Sequence, residues 1–427
     1  GRVTARVGMA VQAIGVAGQM HGLVLVDSSG MPVRDAVLWP DQRAVGVLDV
    51  FTGFDAGRPG ELGNPIAAGM AGPILLWLSR NEPESLGAGT VAVQPKDWLR
   101  MQLCDGGALT DPSDASATLL YDVLADGWSD ELRKELGLRR DLLPRIVPSD
   151  QVAGFLRKDL ADELNLPADI PVVVGAGDAP AALLGAGIEE PGRMLINAGT
   201  AAQALTPLPS PTIPPADLLG VHQYRSATDM TPWYAMASMV NAGLALSWVR
   251  RIVGFEWEQV YRLGDQALNR DDDPLFLPFL STERDPWADN SRGGVWSGLN
   301  LGHDREALAR SAVLGVALYL GLRVRRLMAL TQEGSVMMAG GATRHLEWVE
   351  LMATILGRKV AIAPDSHMTV RGAAQLAARG VGKAIPHPQV AHVVEPRLDD
   401  DVEGPMSAFE AAVRGDDRAA QEGHTSG

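Results

Sequence analysis

The sequence predicts an α/β protein, on three observations. VVVGAGDAPAALLGAG (172–187) reads as an apolar strand, a glycine turn and a helix. RMLINAGT (193–200) repeats the strand and the turn, and SVMMAGGATRHLEWVELMATILG (335–357) repeats all three parts. Strands that alternate with helices in this way build layered α/β domains.

The elements follow in chain order. Residues 11–26 are strand-like, and Asp27-Ser28-Ser29-Gly30 forms a turn between apolar runs. This opening loosely mimics a signal peptide, but the hairpin spacing that follows favours a buried strand. A strand ends at AVLW (36–39), before the polar PDQR. GPILLWLSR (72–80) is an amphipathic helix with an early proline. In TDPSDAS, Asp111 and Ser113 are turn and cap residues. Residues 171–174 form a short, wholly apolar strand of the kind buried in a parallel sheet, and residues 181–187 are helical. Residues 304–330 carry a long helical pattern. From about residue 385 the periodicity fades, so a loosely ordered acidic tail is expected over 386–427. The composition shifts near Gly192, which divides the chain into a first domain, 1–190, and a second, 191–385.

Composition narrows the function. The chain has 427 residues, enough for two domains that each bury a core. Lys plus Arg is 37 and Asp plus Glu is 52, a formal net charge of −15. That balance excludes a duplex-DNA or anionic-membrane binder, which needs a basic surface. A phosphorylated ligand stays compatible with it, because backbone N–H groups can hold phosphate locally. The single cysteine, Cys104, permits no intrachain disulfide, and a reducing cytoplasm is the simplest compartment. The least polar stretch, residues 170–188, is broken by Asp178 and by glycines and prolines, and reads as strand, turn and helix rather than as a membrane span.

Several chemistries are ruled out by their motifs. No lysine precedes Ser or Thr, so there is no Walker A loop. Gly175 and Gly177 open like a dinucleotide fingerprint, but Pro180 occupies the third glycine position. The eight histidines form no HExxH motif, and one cysteine cannot build a thiolate cluster, so no built-in metal is expected. No GxSxG elbow is present.

Three glycine turns at strand ends remain: Gly175/Gly177 with Asp178, Gly199-Thr200, and Gly340-Gly341. In open α/β sheets ligands collect at the carboxyl ends of strands. A Gly-Thr turn can present N–H groups and a hydroxyl to phosphate. Each turn could equally be only a tight connection. Asp178 precedes a helical run, so it can cap that helix, or act as an ionised carboxylate that takes a proton from a hydroxyl. The two roles are compatible, since a helix N-terminus favours the charged form.

Taken together, nine collinear segments resemble the FGGY family of carbohydrate kinases, most of all its D-xylulose-phosphorylating members. They are AGQMHGLVLVDSSG (17–30), AVLWPDQR (36–43), GPILLWLSRNEPE (72–84), VQPKDWLR (93–100), TDPSDASATLLYDV (110–123), VVVGAGDAPAALLGAG (172–187), NAGT (197–200), FLPFLSTERDPWADNSRGGVWSGL (276–299) and AGGATRHLEW (339–348). The resemblance implies a two-domain, actin-like (ribonuclease H-like) sugar-kinase fold that takes ATP, Mg²⁺ and a small sugar. It implies Asp178 as the catalytic base, and Met20, His21 and Asp41 as sugar-site residues. It also implies Gly199 and Thr200 as a phosphate hairpin, and Gly340 and Gly341 as the adenosine turn. It assigns no metal ligand, leaves a homodimer open, and carries no role in nucleic-acid or membrane binding. The family's first phosphate hairpin, Asp-x-Gly-Thr, has no counterpart here, so an N-terminally truncated fold of weak or no activity is expected. Ala179, Ala201 and Ala342 stand where the family usually has Asn, Ser and Gly. A kinase for another pentulose or polyol is one alternative, and a kinase-derived sugar-binding protein is another.

Overall fold

The computed structural model describes residues 11–212, 220–269, 272–283, 293–331, 334–390 and 392–415. The tip of the 276–299 segment and the last twelve residues of the acidic tail lie outside these.

The framework is a seven-stranded mixed sheet. Its order is His222–Arg225, Trp233–Met239, Ala202–Leu208, Met194–Ala198, Val336–Ala339, Val360–Ile362, His392–Val394. Met194–Ala198, Val336–Ala339 and Val360–Ile362 run parallel to one another, and the other pairings are antiparallel. Alternation along each strand gives the sheet two apolar faces. Ile196, Ala198, Ala204 and Met338 join a core under the helix Arg305–Met328, whose Val316, Leu320 and Val324 are buried. That helix is long and apolar enough to cross a membrane, but 83% of its apolar window is buried within the protein. Leu195, Leu205, Tyr234, Met236 and Met337 face the other way and join the core of the first half of the chain.

The first half attaches through two crossing helices, Asp178–Gly185 and Met368–Gly380. They approach so closely that a Cβ on Gly185 would overlap the Met368 carbonyl oxygen, and one on Gly372 would overlap that of Ala181. Any side chain at either position would force the helices apart.

Several expected elements form as read. The 72–80 pattern becomes the helix Ala71–Asn81, and the 304–330 pattern becomes Arg305–Met328. Asp111 caps Pro112–Ser116, accepting the Ser113 N–H. Asp27 closes its turn by accepting the N–H groups of Ser29 and Met31.

Other elements differ from expectation. The strand expected over 11–26 is broken into Ala17–Gly18 and Val24–Val26. His21 between them lies at φ 69°, a left-handed conformation that interrupts an extended run. In the 36–39 segment only Val37 pairs, in an isolated bridge to Leu23. Pro171–Val173 pairs antiparallel with Val152–Phe155, with a single parallel bridge from Val172 to Ile14.

The loosely ordered tail is also corrected, for the residues described. His392–Val394 forms the sheet edge, and Glu403–Arg414 is a helix. Met406, Phe409 and Val413 recur at helical spacing and are buried, with Phe409 against Tyr319 at 6.2 Å between ring centroids. The surrounding acidic residues and Gly404-Pro405 dilute that short apolar stripe in the sequence.

Candidate active site

Asp178 stands where a strand turns into a helix. Ala176–Gly177 pairs parallel with Ala17–Gly18, and Asp178 opens the helix that runs to Gly185. Its Oδ1 accepts the Ala179 N–H at 2.8 Å. Burial raises its pKa above the ordinary carboxylate value, and backbone N–H donors only partly oppose that shift.

The strand pairing of Ala17–Gly18 brings the next residues beside it. Met20 and His21 are buried. His21 Nδ1 donates to the Ala117 carbonyl oxygen at 2.8 Å, and its ring meets Tyr224 edge-on. The Tyr234 hydroxyl donates to the Met20 sulfur at 3.4 Å. Met20, His21 and Asp178 line one cavity of about 130 Å³ between the two halves, with Gln19 and Trp39 on the same side. Ala202, Gln203, Met236 and Ser238 of the large sheet, with Ala201 of the turn before it, form the opposite wall.

The two remaining turns lie side by side. Gly199 and Thr200 join Met194–Ala198 to Ala202–Leu208 at the carboxyl end of a strand. Gly340 follows the parallel neighbour Val336–Ala339 and has φ 98°. A Cβ there would overlap the Ala198 carbonyl oxygen, so only glycine fits. Gly341 begins a short 3₁₀ turn to Arg344. The helix Gly243–Val253 abuts the hairpin: the Gly243 and Leu244 N–H groups donate to the Gly199 and Thr200 carbonyl oxygens at 3.2 and 2.8 Å.

Asp41 is not brought to this cavity. Its carboxylate accepts both the backbone N–H and the Nε–H of Arg43 at 2.9 Å. That arginine hydrogen bond holds its pKa below the usual value.

A buried charge cluster beneath Asp178 was not singled out from sequence. Lys96 Nζ lies 2.6, 3.0 and 3.2 Å from Asp97, Asp111 and Asp114, and all four side chains are fully buried. Asp111 also accepts the hydroxyls of Ser113 and Ser149. Burial pushes the Asp97 and Asp114 carboxyls up, and the three carboxylates push the Lys96 ammonium up against its own burial. The sequence signal was present in PKDW and TDPSDAS, as charges inside otherwise apolar stretches. Gln203 and Ser238 were missed because nothing local marks which face of a strand meets a ligand.

The α/β fold places this cavity between its two halves, and the class of protein follows from the family the chain matches. Residues 7–185 match the N-terminal domain, and residues 194–381 the C-terminal domain, of the FGGY family of carbohydrate kinases, and the chain belongs to that family. A xylulose kinase from Klebsiella pneumoniae is 31% identical over 350 residues, which cover 81% of this chain and 71% of that protein. A crystal structure described as a xyloylose kinase from Brucella ovis superposes with TM-score 0.84 at 30% identity, covering 97% of this chain and 85% of that one. A gluconate kinase from Lactobacillus acidophilus shares the fold, with TM-score 0.87 at 20% identity over 99% of this chain and 87% of that one. The fold is the two-domain, actin-like fold of sugar kinases, and the chain is an ATP-dependent sugar kinase.

Proposed function

We propose that the chain transfers the γ-phosphoryl group of ATP to a hydroxyl of D-xylulose. The observation that carries this reading is the convergence of Asp178, Met20 and His21 on one cavity from separate stretches of the chain. The sugar hydroxyl gives its proton to Asp178 while its oxygen bonds to the γ-phosphorus. The bond from that phosphorus to the β,γ-bridging oxygen breaks, and ADP leaves. A positioned base of this kind contributes about 10²- to 10⁴-fold. His21 is held by its Ala117 hydrogen bond to present its ring to the sugar, and Met20 packs against carbon. The turns Gly199-Thr200 and Gly340-Gly341 receive phosphate and adenosine.

Mg²⁺ would accompany the nucleotide. Such an ion would be held mainly by phosphate oxygens and water. Asp178 is the carboxylate on the cavity that such an ion would find. The ion's chemistry is to neutralise developing charge on the phosphates.

The division between a sugar-binding and a nucleotide-binding domain falls at about residue 190 in this reading, and the buried, unpaired Cys104 suits a reducing cytoplasm. Xylulose-dependent ADP production, measured over several sugar concentrations and against a panel of pentuloses and polyols, tests the proposal. Preference for D-xylulose that disappears in Asp178→Ala supports it, and no sugar-dependent ADP release from a version that also carries the Asp-x-Gly-Thr hairpin refutes it.

A further inference from the structure

The cavity wall opposite Asp178 carries two polar side chains that the proposed reaction does not use. Gln203 and Ser238 are direct partners across the antiparallel strands Ala202–Leu208 and Trp233–Met239. Their Cβ atoms therefore leave the same face of the sheet, about 4.5–5.5 Å apart. Both line the cavity shared by Met20, His21 and Asp178. Two residues along each strand, the same face carries Leu205 and Met236, which belong to the apolar core. The polar pair thus interrupts an apolar face where that face meets the cavity. Ser238 Oγ is buried and has no hydrogen-bond partner among the described residues. A buried hydroxyl left unsatisfied is costly, and a ligand group in the cavity removes the cost.

The chemistry of the lining residues selects a class of ligand. Asp178 is the only Asp, Glu, Lys or Arg among them. An amide and a hydroxyl can each donate and accept, which matches a sugar hydroxyl or carbonyl. A carboxylate would share the cavity with the Asp178 charge and meet no lining Lys or Arg.

We propose that Gln203 and Ser238 hold a hydroxyl or carbonyl at the far end of the acceptor and restrict the cavity to uncharged ketoses and polyols, excluding sugar acids. This rests on the sugar-kinase reading above and adds the acceptor's class to it.

Calorimetric titration of the full chain with D-xylulose, xylitol and D-gluconate tests it, using wild type, Gln203→Leu, Ser238→Ala and Ser238→Thr. ATP titration and circular dichroism of each variant report folding. D-xylulose or xylitol should bind roughly 10-fold more weakly to Gln203→Leu and to Ser238→Ala, with ATP binding unchanged. Ser238→Thr, which keeps the hydroxyl, should restore affinity. D-gluconate should bind wild type at least about 100-fold more weakly than the neutral sugars. Unchanged neutral-sugar affinity in Gln203→Leu and Ser238→Ala overturns the proposal and leaves the kinase reading standing. D-gluconate binding as tightly as D-xylulose also overturns it. Wild type that binds none of the three overturns both readings.

Discussion

Ser113 ties the buried charge cluster to the strand that presents Asp178. Its hydroxyl accepts the Gly177 backbone N–H at 3.0 Å and donates to Asp111 at 2.6 Å. Gly177 immediately precedes Asp178, so the carboxylate's place depends on a hydrogen bond that Gly177 donates to a helix residue 64 positions earlier. Ser113→Ala should destabilise the fold by about 1–3 kcal/mol, because a buried N–H and a buried carboxylate both lose a partner. It should lower kcat more than it raises the sugar KM. Urea denaturation and steady-state kinetics on the same preparation check both effects.

Lys96 is the cation that three buried carboxyls share. Lys96→Met removes it and leaves Asp97, Asp111 and Asp114 without their counter-charge. Breaking a buried pair in this way costs roughly 3–5 kcal/mol, well above an exposed ion pair. Asp114→Asn should cost less, since burial already pushes that carboxyl towards its neutral form. Comparing the midpoints of urea unfolding for the two variants measures the difference.

Asp178 trades stability for chemistry. Its folded pKa lies above the unfolded value because burial penalises the charge. The fold therefore binds its proton more tightly than the unfolded chain does. That contribution is present below the unfolded pKa and is lost as pH rises through the raised folded pKa. Above the raised folded pKa the ionised Asp178 is a net cost to the fold, and there Asp178→Asn should melt at a higher temperature than wild type. The same substitution should reduce kcat by about 10²- to 10⁴-fold. Differential scanning calorimetry beside a kinase assay separates the two effects.

The pH dependence of the reaction has the matching sign. A base must be ionised to accept the sugar proton, so kcat/KM should rise as pH passes the raised pKa of Asp178. The inflection should lie above the pKa of an unburied aspartate. A profile with no inflection above the pKa of an unburied aspartate would mean that Asp178 is not the group being titrated.

Gly340 combines φ 98° with a contact that leaves no room for Cβ. Gly340→Ala should displace the turn from the neighbouring hairpin and weaken ATP binding, while sugar binding in the cavity stays near wild type. Titration with each ligand separately distinguishes this local effect from general misfolding.

The residues of the proposed site were largely legible in the sequence, because they sit in short local patterns. An apolar run, a glycine turn and a helix mark Asp178 and Gly340-Gly341, and an apolar run with a glycine turn marks Gly199-Thr200. Strand-turn-helix order also indicated the layered α/β fold. What the sequence could not carry was proximity. Met20 meets Asp178 because Ala17–Gly18 pairs with Ala176–Gly177, two-residue strands that no periodicity detects. Asp41 lies in a family-like segment, yet a local pairing with Arg43 holds its carboxylate. The helix Glu403–Arg414 orders because Phe409 finds Tyr319, a partner 90 residues away that local composition does not reveal. The same holds for Lys96 and for the Gln203–Ser238 pair: which charges become buried, and which strand face meets the cavity, is set by long-range pairing. The sequence by itself determined most of the local elements and the candidate residues they carry, whereas the tertiary structure decided which of them share a cavity, because burial and register are properties of the assembled sheet.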